Sequence, residues 1–163
     1  MLNIFSIHDL SQNSQPLIYE YAIQRIVDGD TLILSPQKGQ SFRVRLYGID
    51  CPEKRQEGGT AATEAAKNLT SGQNVDMESF YEDRYGRVVG IITFPDGTIM
   101  QEALLSQGHA WVDPHYCTAQ ICDRWIILEK IAREAQRGLW RDPEPIPPWE
   151  WRKGRRKNQS TTR

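Results

Sequence analysis

Two short stretches of this sequence bring carboxylates close to an arginine at points where predicted strands begin or end. The stretch RIVDGDTLIL (25–34) has an aspartate on each side of one glycine, and RLYGIDCPE (45–53) ends in an aspartate, a cysteine, a proline and a glutamate. Because crowded carboxylates repel one another, such a set indicates that a cation belongs among them. The charged residues of the two stretches that could act together are Asp28, Asp30, Arg45, Asp50 and Glu53.

The chemistry that this set favours is a metal-assisted reaction at phosphate. Carboxylate oxygens are the ligands that Ca²⁺ and Mg²⁺ prefer. A third stretch, DRYGR (83–87), adds an arginine before another predicted strand. Guanidinium groups bind phosphate oxygens bidentately and stabilise charge that develops in a transition state. Taken alone, VDGDT also fits a simple hairpin turn, since Asp-Gly is a strong turn dipeptide; the other two stretches favour the metal site.

The elements that must position these residues can be predicted from hydrophobic periodicity. Alternating or β-branched patterns predict five strands, and apolar residues at helical spacing predict three helices. The predicted strands cover residues 17–27, 31–34, 42–46, 74–83 and 87–94, and the predicted helices cover 60–69, 99–108 and 123–138. In a meander of the first three strands, the ends of the first and third lie at the same rim, which would bring the carboxylates together. The pattern therefore predicts an α+β, mainly β fold: a five-stranded oligonucleotide-binding (OB) barrel with helices packed around it.

The three stretches, in this order, resemble the staphylococcal nuclease (thermonuclease) family. The resemblance runs from about Tyr21 to Trp140 and includes EALLSQGHA and the helix end AREAQRGLW, and PPWEWR is similar to secreted or plasmid-encoded bacterial members. It implies a single-copy, bacterial type of domain with an OB-fold barrel and three α-helices. It also implies that one Ca²⁺ binds in each active site, held by the side chains of Asp30 and Asp50 and the backbone carbonyl of Cys51. Asp28 would lie in or near the second coordination shell of the ion. The family usually has threonine at the cysteine position.

The same resemblance implies roles in catalysis and substrate binding. Glu53 would act as the general base or orient the attacking water, while Arg45 and Arg87 would hold the phosphate and stabilise the transition state. A proline, Pro114, stands where the family has one of two tyrosines that frame the nucleotide, so base preference is not transferable. The residues that would contact the substrate are Arg84, Tyr85 and Tyr116.

Composition and motif positions divide the chain into four parts. We predict an N-terminal extension (1–16), the nuclease domain (17–142), a Pro/Trp-rich extended strap (143–151) and a basic tail (152–163) that we expect to be disordered. The tail holds six of the 20 basic residues and no acid, although the whole chain has a net charge of −1. It could be a solubilising end or a weak arm for phosphate backbones.

The cysteines and the termini bear on the compartment. Cys117 and Cys122, five positions apart, could close a small disulfide loop or remain reduced and partly buried. Secreted relatives often carry such a pair, which favours a disulfide and an exported protein. Against export, the chain as given lacks the basic and apolar regions of a signal peptide. No stretch is long and apolar enough to cross a membrane.

The resemblance and the residues together predict a calcium-dependent nuclease. It would hydrolyse the P–O5′ bond of DNA and RNA, with single strands favoured, and leave 3′-phosphate ends. We expect a monomer without an obligate protein partner. The alternative is an inactive nucleic-acid-binding module on the same fold, and a third class, a protein-interaction scaffold, would need tandem copies. The predicted acids and arginines are all present, which favours the enzyme.

Overall fold

The architecture described here is that of a computed structural model. It describes residues 20–70 and 72–160, and for 155–160 the backbone alone. Within these residues the chain forms seven strands, four α-helices and one 3₁₀ helix. The strands are β1 (Tyr21–Asp28), β2 (Thr31–Pro36), β3 (Phe42–Leu46), β4 (Ile49–Asp50), β5 (Asn74–Glu82), β6 (Val88–Thr93) and β7 (Trp111–Val112). The helices are α1 (Gly59–Leu69), α2 (Met100–Ser106), α3 (Ile121–Glu134), the 3₁₀ helix Gly138–Arg141 and α4 (Pro148–Ser160).

Five of the strands close into a barrel, as the periodicity predicted. Their order is β1-β2-β3-β6-β5, and β1 returns to β5 through two residue pairs. Neighbouring strands are antiparallel except β3 and β6, which run parallel. The two-residue strands β4 and β7 form a separate antiparallel pair. An OB-like α+β barrel is therefore confirmed.

The barrel interior is filled by side chains that alternate along the strands. Leu32 and Leu34 on β2 and Val44 and Leu46 on β3 are at most 1% exposed. Helices α2 and α3 cover this core, and Trp125 of α3 is fully buried in it. Burial of these apolar faces is the main stabilising contribution to such a fold.

Three helices lie where they were predicted, but their boundaries differ from the predicted ones by up to four residues. Helix α1 begins at Gly59 after Gly58 in the left-handed region, one residue earlier than expected. Helix α3 ends at Glu134 rather than continuing to Gly138, because Gln136 has a φ of 49° and interrupts the helical conformation. None of the helices in the described part of the chain has the length and hydrophobicity to cross a membrane.

The segment expected to be an extended strap and a disordered tail instead contains a fourth helix, α4. Pro148 opens this helix directly after Pro147, and proline is favoured in the first turn because the missing N–H would be unpaired there. Trp149 packs against the cluster formed by Trp111, Ala132 and Trp140, which anchors the first turn to the domain. The predicted N-terminal extension (1–16) lies outside the described residues.

Candidate active site

A cavity of about 620 Å³ opens at one rim of the barrel. Its walls come from the β1–β2 turn, β3, the segment after β4, the β5–β6 turn, the loop after β7 and helix α4. All ten residues that the sequence analysis proposed for metal binding, catalysis or substrate contact line it. They are Asp28, Asp30, Arg45, Asp50, Cys51, Glu53, Arg84, Tyr85, Arg87 and Tyr116.

The β1–β2 turn is locked against the segment after β4. The backbone N–H of Cys51 donates to Asp30 Oδ2 at 2.7 Å, and that of Leu46 donates to the Asp30 carbonyl at 2.8 Å. A Cβ on Gly29 would lie 2.7 Å from Cys51 Cβ and 2.9 Å from Ala62 Cβ, so only glycine fits. The turn thus serves as more than a hairpin: it fixes the carboxylate of Asp30 in the cavity wall.

Arg45 connects the two aspartates predicted to bind metal. Its Nη1 contacts Asp30 Oδ1, and its Nη2 donates to Asp50 Oδ1 at 2.9 Å. Burial alone would lower the pKa of the Arg45 guanidinium, but the charges of Asp30 and Asp50 outweigh it and raise that pKa. Arg45 is therefore a permanent cation between the two carboxylates.

Carboxylates still outnumber guanidinium groups in the cavity. The lining contributes seven Asp or Glu side chains and four Arg side chains. Burial and the neighbouring charge of Asp30 raise the pKa of Asp28 to about 6. Burial also raises the pKa of Asp50, even though Arg152 and Arg45 oppose this. Each shift reflects an electrostatic cost that an added cation would relieve.

The Cys51 thiol is a poor nucleophile in this setting. It is 3% exposed, and burial and the charge of Asp30 raise its pKa well above the ordinary value. A protonated, buried thiol is largely inert. The backbone of Cys51 is therefore the part of this residue suited to the site.

The β5–β6 turn presents two arginines and one tyrosine at the cavity mouth. Asp83 orders this turn, because its carboxylate accepts from Tyr85 N at 2.8 Å and from Arg87 Nε at 2.7 Å. The guanidinium groups of Arg84 and Arg87 lie 4.9 and 5.4 Å from the centre of the Tyr85 ring. Burial alone would raise the pKa of Asp83, but the hydrogen bonds from Arg87 and Tyr85 lower it.

The loop after β7 carries Tyr116, whose side chain is 64% exposed. The next residue, Cys117, forms a disulfide with Cys122, with 5.7 Å between the two Cα atoms. The hydroxyl of buried Tyr47 accepts hydrogen bonds from the backbone N–H groups of Thr118 and Ala119 at 3.1 and 3.0 Å. A disulfide and a buried tyrosine thus hold the exposed ring at the cavity.

The sequence analysis placed one charged residue of the cavity, Arg152, in the basic tail. Arg152 of α4 reaches into the cavity, where its Nη2 donates to Asp50 Oδ2 at 2.6 Å and its Nη1 to Glu53 Oε1 at 2.8 Å. The proline pair followed by Trp149 and Trp151 was the one available sign of an anchored helix. A basic residue in a basic run gives no local sign of where it points.

The donor set suits a hard cation, although it does not form a complete cage. In the part of the chain that the structure describes, no group of three or more His, Cys, Asp or Glu side chains is arranged to hold a metal ion. The carboxylates of Asp30 and Asp50 share one guanidinium partner, and Cys51 follows directly with its carbonyl. These all-oxygen donors fit Ca²⁺ or Mg²⁺, which complete their shells with water.

Comparison with known proteins yields a consistent set of relatives. The model of the family described as staphylococcal nuclease homologues matches residues 43–142. A protein of Escherichia coli described as an uncharacterized endonuclease is 38% identical over 130 residues, which covers 80% of this chain and 82% of the relative. A protein of Shigella flexneri named micrococcal nuclease is 35% identical over 142 residues, which covers 80% of this chain and 79% of the relative.

Proposed function

This chain belongs to the family of staphylococcal nuclease homologues and is a nuclease, and from that premise we propose that it is a calcium-dependent phosphodiesterase that cleaves DNA and RNA at the P–O5′ bond. The observation that carries this proposal is that one cavity contains Arg45, Glu53 and Arg87 together with Asp28, Asp30 and Asp50. Guanidinium groups to hold a phosphate, a carboxylate to accept a proton and oxygen donors for a cation are the parts that this reaction needs.

The excess of carboxylates supports dependence on a divalent cation. A phosphodiester is an anion, so a cavity with seven carboxylates and four guanidinium groups would repel it unless another cation is present. A Ca²⁺ held by Asp30, Asp50 and the Cys51 carbonyl would supply a Lewis acid that polarises the phosphate. The cation and the substrate are therefore expected to bind together more tightly than either does alone.

The arginines can hold the phosphate without leaving their present partners. Arginine has five N–H donors; Arg45 Nη2 donates to Asp50, and its buried Nη1 forms an ion pair with Asp30. Arg87 directs its Nε and Nη2 towards Asp83. We expect the N–H groups of Arg45 and Arg87 that face the cavity to donate to non-bridging phosphate oxygens, where negative charge increases in the transition state.

In this proposal Glu53 is the proton acceptor. Its carboxylate is 41% exposed at the cavity, so water can reach it. As water oxygen bonds to phosphorus, Glu53 takes one of its protons and the P–O5′ bond breaks. The departing O5′ gains a proton and leaves as a 5′-hydroxyl, while the phosphate stays on the 3′ side.

We also propose a preference for single strands, an exported location and a monomeric state. The exposed rings of Tyr85 and Tyr116 flank the cavity and suit stacking with unpaired bases, which favours single strands. The disulfide between Cys117 and Cys122 supports an exported, oxidising location. We expect the protein to act as a monomer, since one chain provides all the residues proposed here.

The test follows the cutting of single-stranded DNA and RNA by purified protein with Ca²⁺, with Mg²⁺ and with a chelator. We expect calcium-dependent cleavage, 3′-phosphate ends on the products, and a loss of roughly 10²–10⁴-fold in kcat for Glu53→Gln. Glu57→Gln, in the same loop but outside the cavity, is the matched control and should cut like the wild type. DNA binding without cleavage under every metal condition would favour the inactive binding module instead.

A further inference from the structure

Arg152 belongs to a helix that begins after the end of the segment matched by the family model. Its guanidinium nevertheless bridges the two acidic residues at the centre of the proposed chemistry. Nη1 lies 2.8 Å from Glu53 Oε1 and 3.3 Å from Asp50 Oδ1, and Nη2 lies 2.6 Å from Asp50 Oδ2. Both carboxylates therefore contact the same cation at once.

The position of this guanidinium is fixed by the packing of α4. Trp149 inserts beside Trp111 and Trp140, and the backbone N–H groups of Glu150 and Trp151 donate to the Pro147 carbonyl at 3.0 and 3.1 Å. The first turn of the helix is thus held by the domain, so Arg152 extends from an ordered base.

Gln56 ties the same segment to the backbone of Glu53. Its side chain is buried, and Nε2 donates to the Ile146 carbonyl at 2.6 Å while Oε1 accepts from Glu53 N at 3.1 Å. Glu53 is consequently gripped twice: Gln56 holds its backbone, and Arg152 holds its carboxylate.

Glu53 needs such a partner to act as a base. Its carboxylate is substantially exposed, and among the described residues Arg152 is its one side-chain partner. The negative charge of Asp50, on the other side of the Arg152 guanidinium, would otherwise push it away from the cavity. A general base contributes to rate only within hydrogen-bond reach of the proton it removes.

We propose that Arg152 is a positioning residue, which holds the Glu53 carboxylate beside Asp50 in the orientation required to accept a proton from water. The inference rests on the proposed function, in which Glu53 is the base. It makes helix α4 a part of the active site, although this helix lies outside the barrel and its three predicted helices. Arg152 acts through Glu53 and does not touch the substrate phosphate.

The experiment is a double-mutant cycle between Arg152→Gln and Glu53→Gln, measured as kcat and KM on single-stranded DNA at saturating Ca²⁺. We expect Arg152→Gln to lower kcat about 10–100-fold with KM changed less than about threefold, because a displaced base slows chemistry without weakening substrate binding. In the Glu53→Gln background the same change should have almost no further effect. Arg152→Lys should fall between, since lysine keeps the charge but cannot bridge both carboxylates as a fork.

Two controls separate this role from structural or electrostatic ones. Lys153→Gln removes one positive charge from the adjacent, exposed position, where Lys153 pairs with Glu150, and should leave kcat unchanged. Affinity for Ca²⁺, measured calorimetrically without substrate, should not fall in Arg152→Gln, since Asp50 loses a competing cation. Unfolding curves establish that each variant is folded. If Arg152→Gln does not fold, Arg152→Lys replaces it in the double-mutant cycle.

The outcomes are distinct. Wild-type kcat in folded Arg152→Gln overturns the inference, as does a raised KM that persists equally in the Glu53→Gln background, which would mean that Arg152 binds phosphate directly. Weaker Ca²⁺ binding by Arg152→Gln also overturns it. Wild-type turnover in Glu53→Gln would instead refute the proposed base, and with it the premise of the inference.

Discussion

Replacing Asp28 by asparagine should stabilise the protein above about pH 6 when divalent cations are chelated. Burial and the charge of Asp30 raise the pKa of Asp28 from 3.8 to about 6. The folded state therefore binds a proton more readily than the unfolded state between these values. Since the unfolded state then holds fewer protons, stability falls as pH rises through this range and stays reduced above it.

The magnitude follows from the size of this shift. The difference between 3.8 and about 6 means that ionised Asp28 lowers the free energy of unfolding by at most about 3 kcal/mol. Asp28 is only partly buried at a cavity open to water, and solvent screens part of the repulsion, so we expect Asp28→Asn to gain about 1–2 kcal/mol at pH 8. Asparagine keeps the Oδ1 that accepts from Asp30 N at 3.2 Å, so this hydrogen bond survives the substitution.

Urea unfolding, followed by tryptophan fluorescence in the presence of a chelator, provides the assay. The gain from Asp28→Asn should be close to zero at pH 4 and should appear between pH 4 and pH 6. Asp76→Asn is the matched control, because the exposed Asp76 carboxylate also accepts a nearby backbone N–H, from Met77 at 3.0 Å. An equal effect of Asp28→Asn at pH 4 and pH 8, or a loss of stability at pH 8, would refute the reasoning.

Three further substitutions test the contacts that hold the site together. Tyr47→Phe should lower the free energy of unfolding, measured in urea, by about 2–3 kcal/mol. The reason is that two backbone N–H groups, which donate to the Tyr47 hydroxyl at 3.0 and 3.1 Å, lose their acceptor. A loss below about 0.5 kcal/mol would contradict this. Gly29→Ala should lower the free energy of unfolding by at least about 2 kcal/mol and lower the melting temperature, because the added methyl group would lie 2.7 Å from Cys51 Cβ. An unchanged melting temperature would show that the turn can move. Serine at both Cys117 and Cys122 should lower the free energy of unfolding by about 2 kcal/mol, which is the loop entropy expected for a disulfide that joins residues five positions apart. The variant should be as stable as the wild type whose disulfide has been reduced.

Helix α4 and Arg152 connect the enzyme's proposed chemistry to a segment outside the barrel. The segment is rich in proline, tryptophan and basic residues, which by composition alone describes a linker and tail. Because its first turn is anchored by Trp149 and its side chain at 152 meets Asp50 and Glu53, truncation before α4 should affect the site as well as the terminus.

The sequence by itself determined the barrel and placed the charged stretches at its rim, and the resemblance of those stretches to a known family singled out ten residues that line the cavity. Alternation along strands such as FRVRL requires one face to be buried, and that requirement is local. The order of the three charged stretches places their residues at strand ends, and strand ends in a closed barrel meet at a rim. These features follow from neighbours in the chain, so they could be predicted without coordinates.

Other features depended on contacts between distant parts of the chain. The strands β4 and β7 are two residues each, too short for any periodicity to reveal, and helix α3 ended before its expected glycine because one residue adopted a positive φ. The need for glycine at 29 came from Cys51 and Ala62, which approach only after folding. Local patterns carry no information about such approaches.

The tertiary structure alone decided the electrostatics of the site. Asp28 acquired its raised pKa from burial and from Asp30, and Arg45 became the bridge between Asp30 and Asp50 through the packing of adjacent strands. Arg152 reached Asp50 from 102 positions away. Burial, charge proximity and long-range contact are properties of the packed chain, whereas the sequence specifies which side chains are available to take part in them.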